Sequence, residues 1–287
     1  MPTRSSRNEM DEFSQPFNAP DFIHIYRNSS TVDWGKLKRY LENMLGIGTN
    51  IDIRENFLTY HIGREIGFNS IAEKLVRTKV FDFSNPTKAY DPFPVEIEHE
   101  KDLIIDPAKK VFGLMYDGFK LQNLFRELMP STELSFKHLH MVFTNKSIGT
   151  WVRNDGRYHA RVGVYGFPSI ISTTGAVEAP AKPRGFYVLR KALIGSGMER
   201  ELVEEELKSE FKGRFIDYND ERMTEIVKGY AMQAYFYHLK FDPFCEDKSC
   251  RLYNAHWQKE MIHAQLEGKD FCERHERILE RIKERKK

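Results

Sequence analysis

Residues 220–250 read DERMTEIVKGYAMQAYFYHLKFDPFCEDKSC, and the rest of the chain can be organised around them. Met223, Ile226, Val227, Tyr230, Ala231, Ala234, His238 and Phe241 recur at three- and four-residue steps, the stripe of a buried helix. Asp220 stands where an N-cap belongs, and the helix should run to Lys240. The chain then passes into Cys245-x4-Cys250 and, twenty-one residues later, Cys272-x2-His275. These are all three cysteines of the 287 residues. An odd count at one end of a chain is a poor disulfide framework. It suits zinc better, because Zn²⁺ takes four tetrahedral ligands and Cys3His is an established closed set. Each short spacing lets one tight loop present two ligands. Cys245, Cys250, Cys272 and His275 are therefore the expected holders of a structural zinc.

Between the paired ligands, Asn254–Leu266 reads as a helix with His256, Glu260 and His263 on one face, a spacing that could hold a second metal or a hydrolytic water. The plainer reading is an exposed His–Glu face. After Cys272 the chain becomes a charged helix whose apolar edge is Ile278, Leu279 and Ile282. Upstream, Glu199–Phe211 is an acidic amphipathic helix, and strands are expected at 138–143, 157–162 and 169–172. In the second of these, Arg157, His159 and Arg161 share a face and could grip an anion, although a solvated outer face explains them more simply. The chain opens with a strand at Phe22–Tyr26, a helix over Val32–Leu45 closed by Gly46, a strand at Asn50–Ile53 and a helix over Ile71–Val80; a break is expected at Tyr90–Pro94. The implied class is α+β: a mixed sheet with packed helices and a helical, zinc-stapled C-terminal lobe. Residues 1–20 read as a disordered tail, 21–242 as the α/β body and 243–287 as the zinc-binding lobe.

Lys+Arg 44 against Asp+Glu 42 leaves +2, which disfavours a nucleic-acid partner acting through the Arg157/Arg161 strand and the basic end of the chain. There is no Gly-x4-Gly-Lys-Ser/Thr phosphate loop and no Gly-x-Ser-x-Gly elbow. No apolar run is long enough for a membrane span, and the first twenty residues lack a signal-peptide core, so a cytoplasmic, thiol-reducing setting is expected. The oligomeric state is not legible.

A buried helix bearing His238, followed by Cys245-x4-Cys250 and Cys272-x2-His275, resembles the tail of the archaemetzincins, a branch of the metzincin zinc metallopeptidases. In that family the helix carries His-Glu-x-x-His-x-x-Gly-x-x-His, then Cys-x4-Cys and later Cys-x-x-Cys. Three histidines hold a catalytic zinc, the glutamate is general base, and the cysteines hold a structural zinc. The resemblance implies a metzincin-like sheet, with Phe22–Leu45 as its opening strand and helix, and a peptide or protein substrate. Matching Cys245 to the first cysteine puts His238 on the second histidine, His275 on the fourth cysteine and Leu252 on the family's methionine. The first histidine, glutamate, glycine and third histidine then fall on Ala234, Tyr235, Phe241 and Phe244, so the structural zinc carries over and the catalytic motif is degenerate. Ala234, Phe241 and Phe244 are expected in the core. A rebuilt catalytic zinc would use His238 with His256 and His263, and Glu260 as base. The alternative is a non-catalytic descendant that binds peptides or proteins in the old cleft.

Overall fold

Ile23 and Ile25 point one way from the first strand and His24 and Tyr26 the other, and this alternation defines the two faces of the main sheet. The computed structural model describes residues 18–285 apart from 29–30, 47, 63–66, 89, 108 and 110–112, so most of the expected N-terminal tail lies outside the described residues. In chain order come β1 (Phe22–Tyr26), α1 (Trp34–Leu45), β2 (Asn50–Arg54), α2 (Phe57–His61), α3 (Phe68–Arg77), α4 (Pro94–Ile105), β3 (Met115–Asp117) and α5 (Gly118–Leu128). The strands β4 (His138–Thr144), β5 (Ser147–Val152), β6 (Arg157–Arg161), β7 (Gly163–Val164) and β8 (Ser169–Ser172) follow. The remainder is helical: α6 (Thr173–Glu178), α7 (Arg184–Gly195), α8 (Arg200–Glu210), α9 (Met223–Lys240), α10 (Gln258–Ile262), a π turn (His263–Glu267) and α11 (Glu273–Arg285).

The main sheet has the order β2-β1-β4-β8-β7, parallel throughout except for the short antiparallel edge β7. A smaller sheet, β3-β5-β6, lies beside it. One hydrophobic cluster joins Ile23, Ile25, Leu139, Met141 and Phe143 to α1 and α9, and it continues through Cys250, Leu252, Met261, Phe271, Ile278 and Ile282. The C-terminal segment thus shares the main core. A second cluster fills the opposite face with Tyr26, Val142 and Ile170 against Phe57, Leu75, Leu121 and Phe125. The hairpin of α7 and α8 closes over Phe186, Val203, Leu207 and Phe211. Together these give the expected α+β class, a mixed sheet with packed helices. Among the described residues no helix is long and apolar enough to cross a membrane.

Several local expectations need correction. The break at Pro94 begins a helix, because proline fits the first helical position; the Glu96 side chain accepts a hydrogen bond from the Phe93 N–H at 3.0 Å. Helix α9 starts at Met223 after Arg222, not at Asp220. The Asp220 carboxylate is instead taken by the N–H and guanidinium of Arg222, both at 2.9 Å. The helix expected over Asn254–Leu266 begins only at Gln258, so His256 precedes it and shares no helical face with Glu260 and His263. Gly229 on α9 leaves room for a neighbour: a Cβ there would lie 1.8 Å from the amide end of Gln265 in the π turn, which would have to move aside.

Candidate metal centre

Cys245 and Cys250 sit on one tight turn, shaped by Cys250 N–H bonding to Asp247 O at 3.1 Å and Cys245 N–H to Leu252 O at 2.9 Å. The Asp247 N–H points at Cys245 Sγ at 3.4 Å. Cys272 and His275 stand at the entry to α11, where His275 N–H bonds Cys272 O at 2.9 Å. The two pairs meet, with one ligand atom from each residue within 4.8 Å of every other. Cys245 Sγ lies 3.8 Å from Cys272 Sγ, and His275 Nδ1 lies 3.7 Å from Cys250 Sγ and 3.1 Å from Cys272 Sγ. A tetrahedral zinc with ordinary bond lengths needs S–S edges of about 3.8 Å and S–N edges of about 3.6 Å. The donor set and its spacing therefore fit the ion.

Three thiols this close cannot all ionise by themselves. The hydrogen bond from Cys250 holds the Cys245 thiol down at about 4 against the upward push of burial. The same bond pushes Cys250 up, and burial pushes Cys272 up. A bound dication would draw off the remaining protons. Cys250 and His275 are fully buried, and the His275 ring meets Phe236 of α9 edge-on, with centroids 5.0 Å apart. Arg251, between the two ligand pairs, bonds the Asp270 carboxylate at 2.5 Å and the Glu225 carbonyl at 3.2 Å, fastening the start of α9 to the same lobe.

The other candidates are not brought together. Among the described residues two groups of three or more metal-ligand side chains converge, and neither contains His238, His256, Glu260 or His263. His238 is buried on α9 between Phe136 and Phe167, and its Nε2–H donates to Phe136 O at 2.8 Å. Glu260 folds back to accept the N–H groups of His256 and Trp257 at 3.1 and 3.3 Å, an N-terminal cap for α10. His263 contacts Glu267 at 3.2 Å and Ser249 Oγ at 3.4 Å, while His256 is exposed. Arg157, His159 and Arg161 do share a strand face. Arg157 is exposed, His159 lies 2.7 Å from the Asp155 carboxylate, and Arg161 Nε donates to Thr150 Oγ1 at 2.8 Å. Ala234 is buried as expected, and Tyr235 is buried beside it, but Phe241 and Phe244 are 53% and 38% exposed, which corrects their expected burial. Both lie beyond the end of α9, where Phe241 turns the chain with a left-handed φ of 59°.

Alongside α9 runs a cleft of about 520 Å³, floored by Tyr230, Gln233 and Tyr237 and walled by the edge strand β7, Arg161, Tyr165, Phe244 and His256. Residues 19–282 match the model of a family described as "Probable metallopeptidase family (DUF6775)". The chain belongs to that family. No curated protein and no solved structure gives a significant match. Membership in a metallopeptidase family implies a metal, and the converged Cys3His group, visible in the sequence as spacing, could hold one.

The second converging group was missed: His24 on β1 with His138 and His140 on β4. His24 and His138 are 114 residues apart, so no spacing pattern joins them. The available signal was His-x-His in an alternating strand, which places both rings on one face.

Proposed function

We propose that this chain is a zinc-stapled relative of the archaemetzincins that keeps the metallopeptidase cleft as a binding groove for extended peptides, with α9 no longer carrying a hydrolytic metal. The observation that carries the reading is the state of α9 along the cleft. The residues matched to the family's first histidine and glutamate, Ala234 and Tyr235, are fully buried in the core, and His238 spends its Nε2–H on a backbone carbonyl. One imidazole does not supply the three protein ligands of a catalytic zinc, and a buried tyrosine is no carboxylate base. Burial pushes the Tyr235 hydroxyl well above its ordinary range, which keeps it protonated. The lobe behind α9 retains Cys245, Cys250, Cys272 and His275. Zinc there supplies cohesion, not chemistry, because four protein ligands leave no open position.

The groove itself suits a peptide. Strand β7, two residues long, is the outermost strand of the main sheet and borders the cleft, a place for strand addition, and Tyr165, Tyr237 and Phe244 provide aromatic surface. Arg161 is half-buried at the wall, its charge disfavoured by burial, and Thr150 is its hydrogen-bond partner. A peptide carboxylate would relieve that cost. The test is fluorescence anisotropy with labelled random peptides on the zinc-loaded protein, with the same mixtures checked for cleavage by mass spectrometry. Binding that is lost on Arg161→Gln, with peptides intact, is expected. Cleavage that is abolished by His238→Ala would overturn the reading in favour of an active peptidase on α9.

A further inference from the structure

On the sheet face opposite α9, β1 and β4 run parallel in a register that sets His24 beside His140 and Phe22 beside His138. Since His138 and His140 are two residues apart on one strand, all three imidazoles project from one face. We infer that His24, His138 and His140 form a second metal site, a three-histidine centre for a divalent transition metal of the zinc class, with one coordination position left open toward solvent.

The rings already converge: His24 Nε2 is 2.9 Å from His138 Nδ1, and one nitrogen of each ring lies within 4.8 Å of the others. Three imidazoles around a zinc need N–N separations of about 3.3 Å, within reach of small χ adjustments. The surroundings orient the rings as metal sites require. Asp52 Oδ1 sits 2.6 Å from His24 Nδ1, the carboxylate–imidazole arrangement that leaves Nε2 free to ligate. Tyr26 holds His140 in the same way. Its oxygen accepts from Arg54 Nη1 at 2.7 Å and from His140 Nδ1–H at 3.0 Å, while its own proton goes to His61 Nε2 at 2.9 Å. In that tautomer His140 Nε2 carries the lone pair and can ligate, and its 3.4 Å approach to the Glu133 carbonyl oxygen is then a contact without a shared proton.

Charge and access agree with a dication. Asp52 and Glu133 bring two carboxylates against the single guanidinium of Arg54, which bonds both, so the surrounding shell carries one excess negative charge. No fourth His, Cys, Asp or Glu among the described residues joins the three. His24 and His140 are buried, but His138 is half-buried and stacked on the exposed ring of Phe22 at 4.8 Å, so the open position lies on the solvent side. Three neutral nitrogens with an outer carboxylate favour zinc, copper, nickel or iron over magnesium and calcium, whose preference is for oxygen. The site uses none of the residues of the cleft or of the cysteine centre, so it is independent of the peptide-binding reading.

The test titrates Co²⁺ into protein that already holds one zinc per chain. Uptake of one cobalt equivalent is expected, with visible d–d absorption and no thiolate-to-cobalt charge-transfer band. His138→Gln should abolish uptake, and Asp52→Asn should weaken it roughly 10- to 100-fold. Retention of the original zinc in both variants shows that the lobe remains folded, so loss of cobalt is not loss of structure. The inference is overturned if wild-type protein takes up no cobalt, if the added cobalt shows a thiolate band, or if His138→Gln binds it as tightly as wild type.

Discussion

The cysteine centre and the histidine cluster are built by opposite routes. Cys245 with Cys250, and Cys272 with His275, are each presented by one local turn, and the two turns are docked by a shared core. His24, His138 and His140 are assembled by a parallel strand pairing across 114 residues and are useless to one another until the sheet forms. A metal at the first centre would join the two turns ligand to ligand, beyond what the shared core and the Arg251–Asp270 ion pair already do. A metal at the second would find two of its ligands, His24 and His140, already held by Asp52 and by the Arg54-bonded Tyr26, and His138 stacked on Phe22. Folding should therefore depend on metal at one centre and be nearly indifferent to it at the other.

The largest effect expected from this contrast comes from Cys250→Ser. It removes a fully buried ligand and leaves two cysteines and His275 facing a lost ion. Structural zinc binding in small domains is worth on the order of 10 kcal/mol, and part of that is folding energy. Elemental analysis should show the loss of one zinc, and thermal melts should show early unfolding that a chelator reproduces in the wild type. If the variant keeps its zinc and its melting temperature, the centre is not a staple and the contrast fails.

Glu100 sharpens the comparison, because it sits in a buried polar cluster without metal-ligand company. Its carboxylate is fully buried, 2.9 Å from Lys79 Nζ and 3.2 Å from Lys146 Nζ, and it accepts the Tyr116 hydroxyl at 2.5 Å. Glu100→Gln strands two ammonium groups and should cost about 3–5 kcal/mol. That corresponds to a melting-temperature drop of roughly 10 °C. Burial pushes this carboxyl up, but Lys146 and Lys79 outweigh it and hold it below the ordinary glutamate range. A folded-state value below the unfolded one stabilises the protein above the unfolded value, and that stability disappears as pH falls through the folded value. Denaturant midpoints across acidic pH should therefore fall less steeply in Glu100→Gln than in wild type. Metal content should not change in either, which separates buried charge from bound metal.

What was legible in the sequence follows the same division. The Cys3His set, which the fold does bring together, the stripe of α9 from Met223 to His238 and the strands at 22–26 and 169–172 carry their signal in local spacing; Phe241, the last member expected in the stripe, lies past the helix end and is exposed. Helix α4 was hidden because its buried residues are only Glu100, Leu103 and Ile104, too few for a stripe, and because Pro94 looks like a break while serving as a start. The proposed face of His256, Glu260 and His263 failed for a related reason. Glu260 is three residues past Trp257 and caps a short helix, so the backbone uses the carboxylate that a spacing argument assigns to chemistry. Three histidines on two distant strands could be paired only by knowing that β1 lies beside β4.

A smaller effect tests whether His238 belongs with either centre. His238→Ala loses one hydrogen bond to Phe136 O and some packing against Phe167, a cost of about 1–2 kcal/mol. Zinc content and cobalt uptake should both remain at wild-type values. A lost metal equivalent would place a ligand on α9 and break the separation between a structural lobe and a sheet-borne site.

The smallest effect concerns Phe241, which the proposed archaemetzincin register puts on the motif's glycine. Its φ of 59° is left-handed, and its N–H still bonds Tyr237 O at 2.7 Å, so the helix ends in the way a glycine would end it. A bulky residue in that region costs about 1–2 kcal/mol that glycine does not pay. Against this, Phe241→Gly loses ring contacts with Phe136 and Tyr237, both edge-on at centroid distances of 6.0 and 5.7 Å, on a side chain already more than half exposed. Glycine also carries more unfolded-state entropy, about 0.5–1 kcal/mol. The balance should lie within about 1 kcal/mol of zero on the stabilising side, a rise of a few degrees at most in a melt of the zinc-loaded protein. A fall of similar size would mean that the ring secures the mouth of the cleft, which would make this phenylalanine part of the binding groove and not merely a tolerated replacement for glycine.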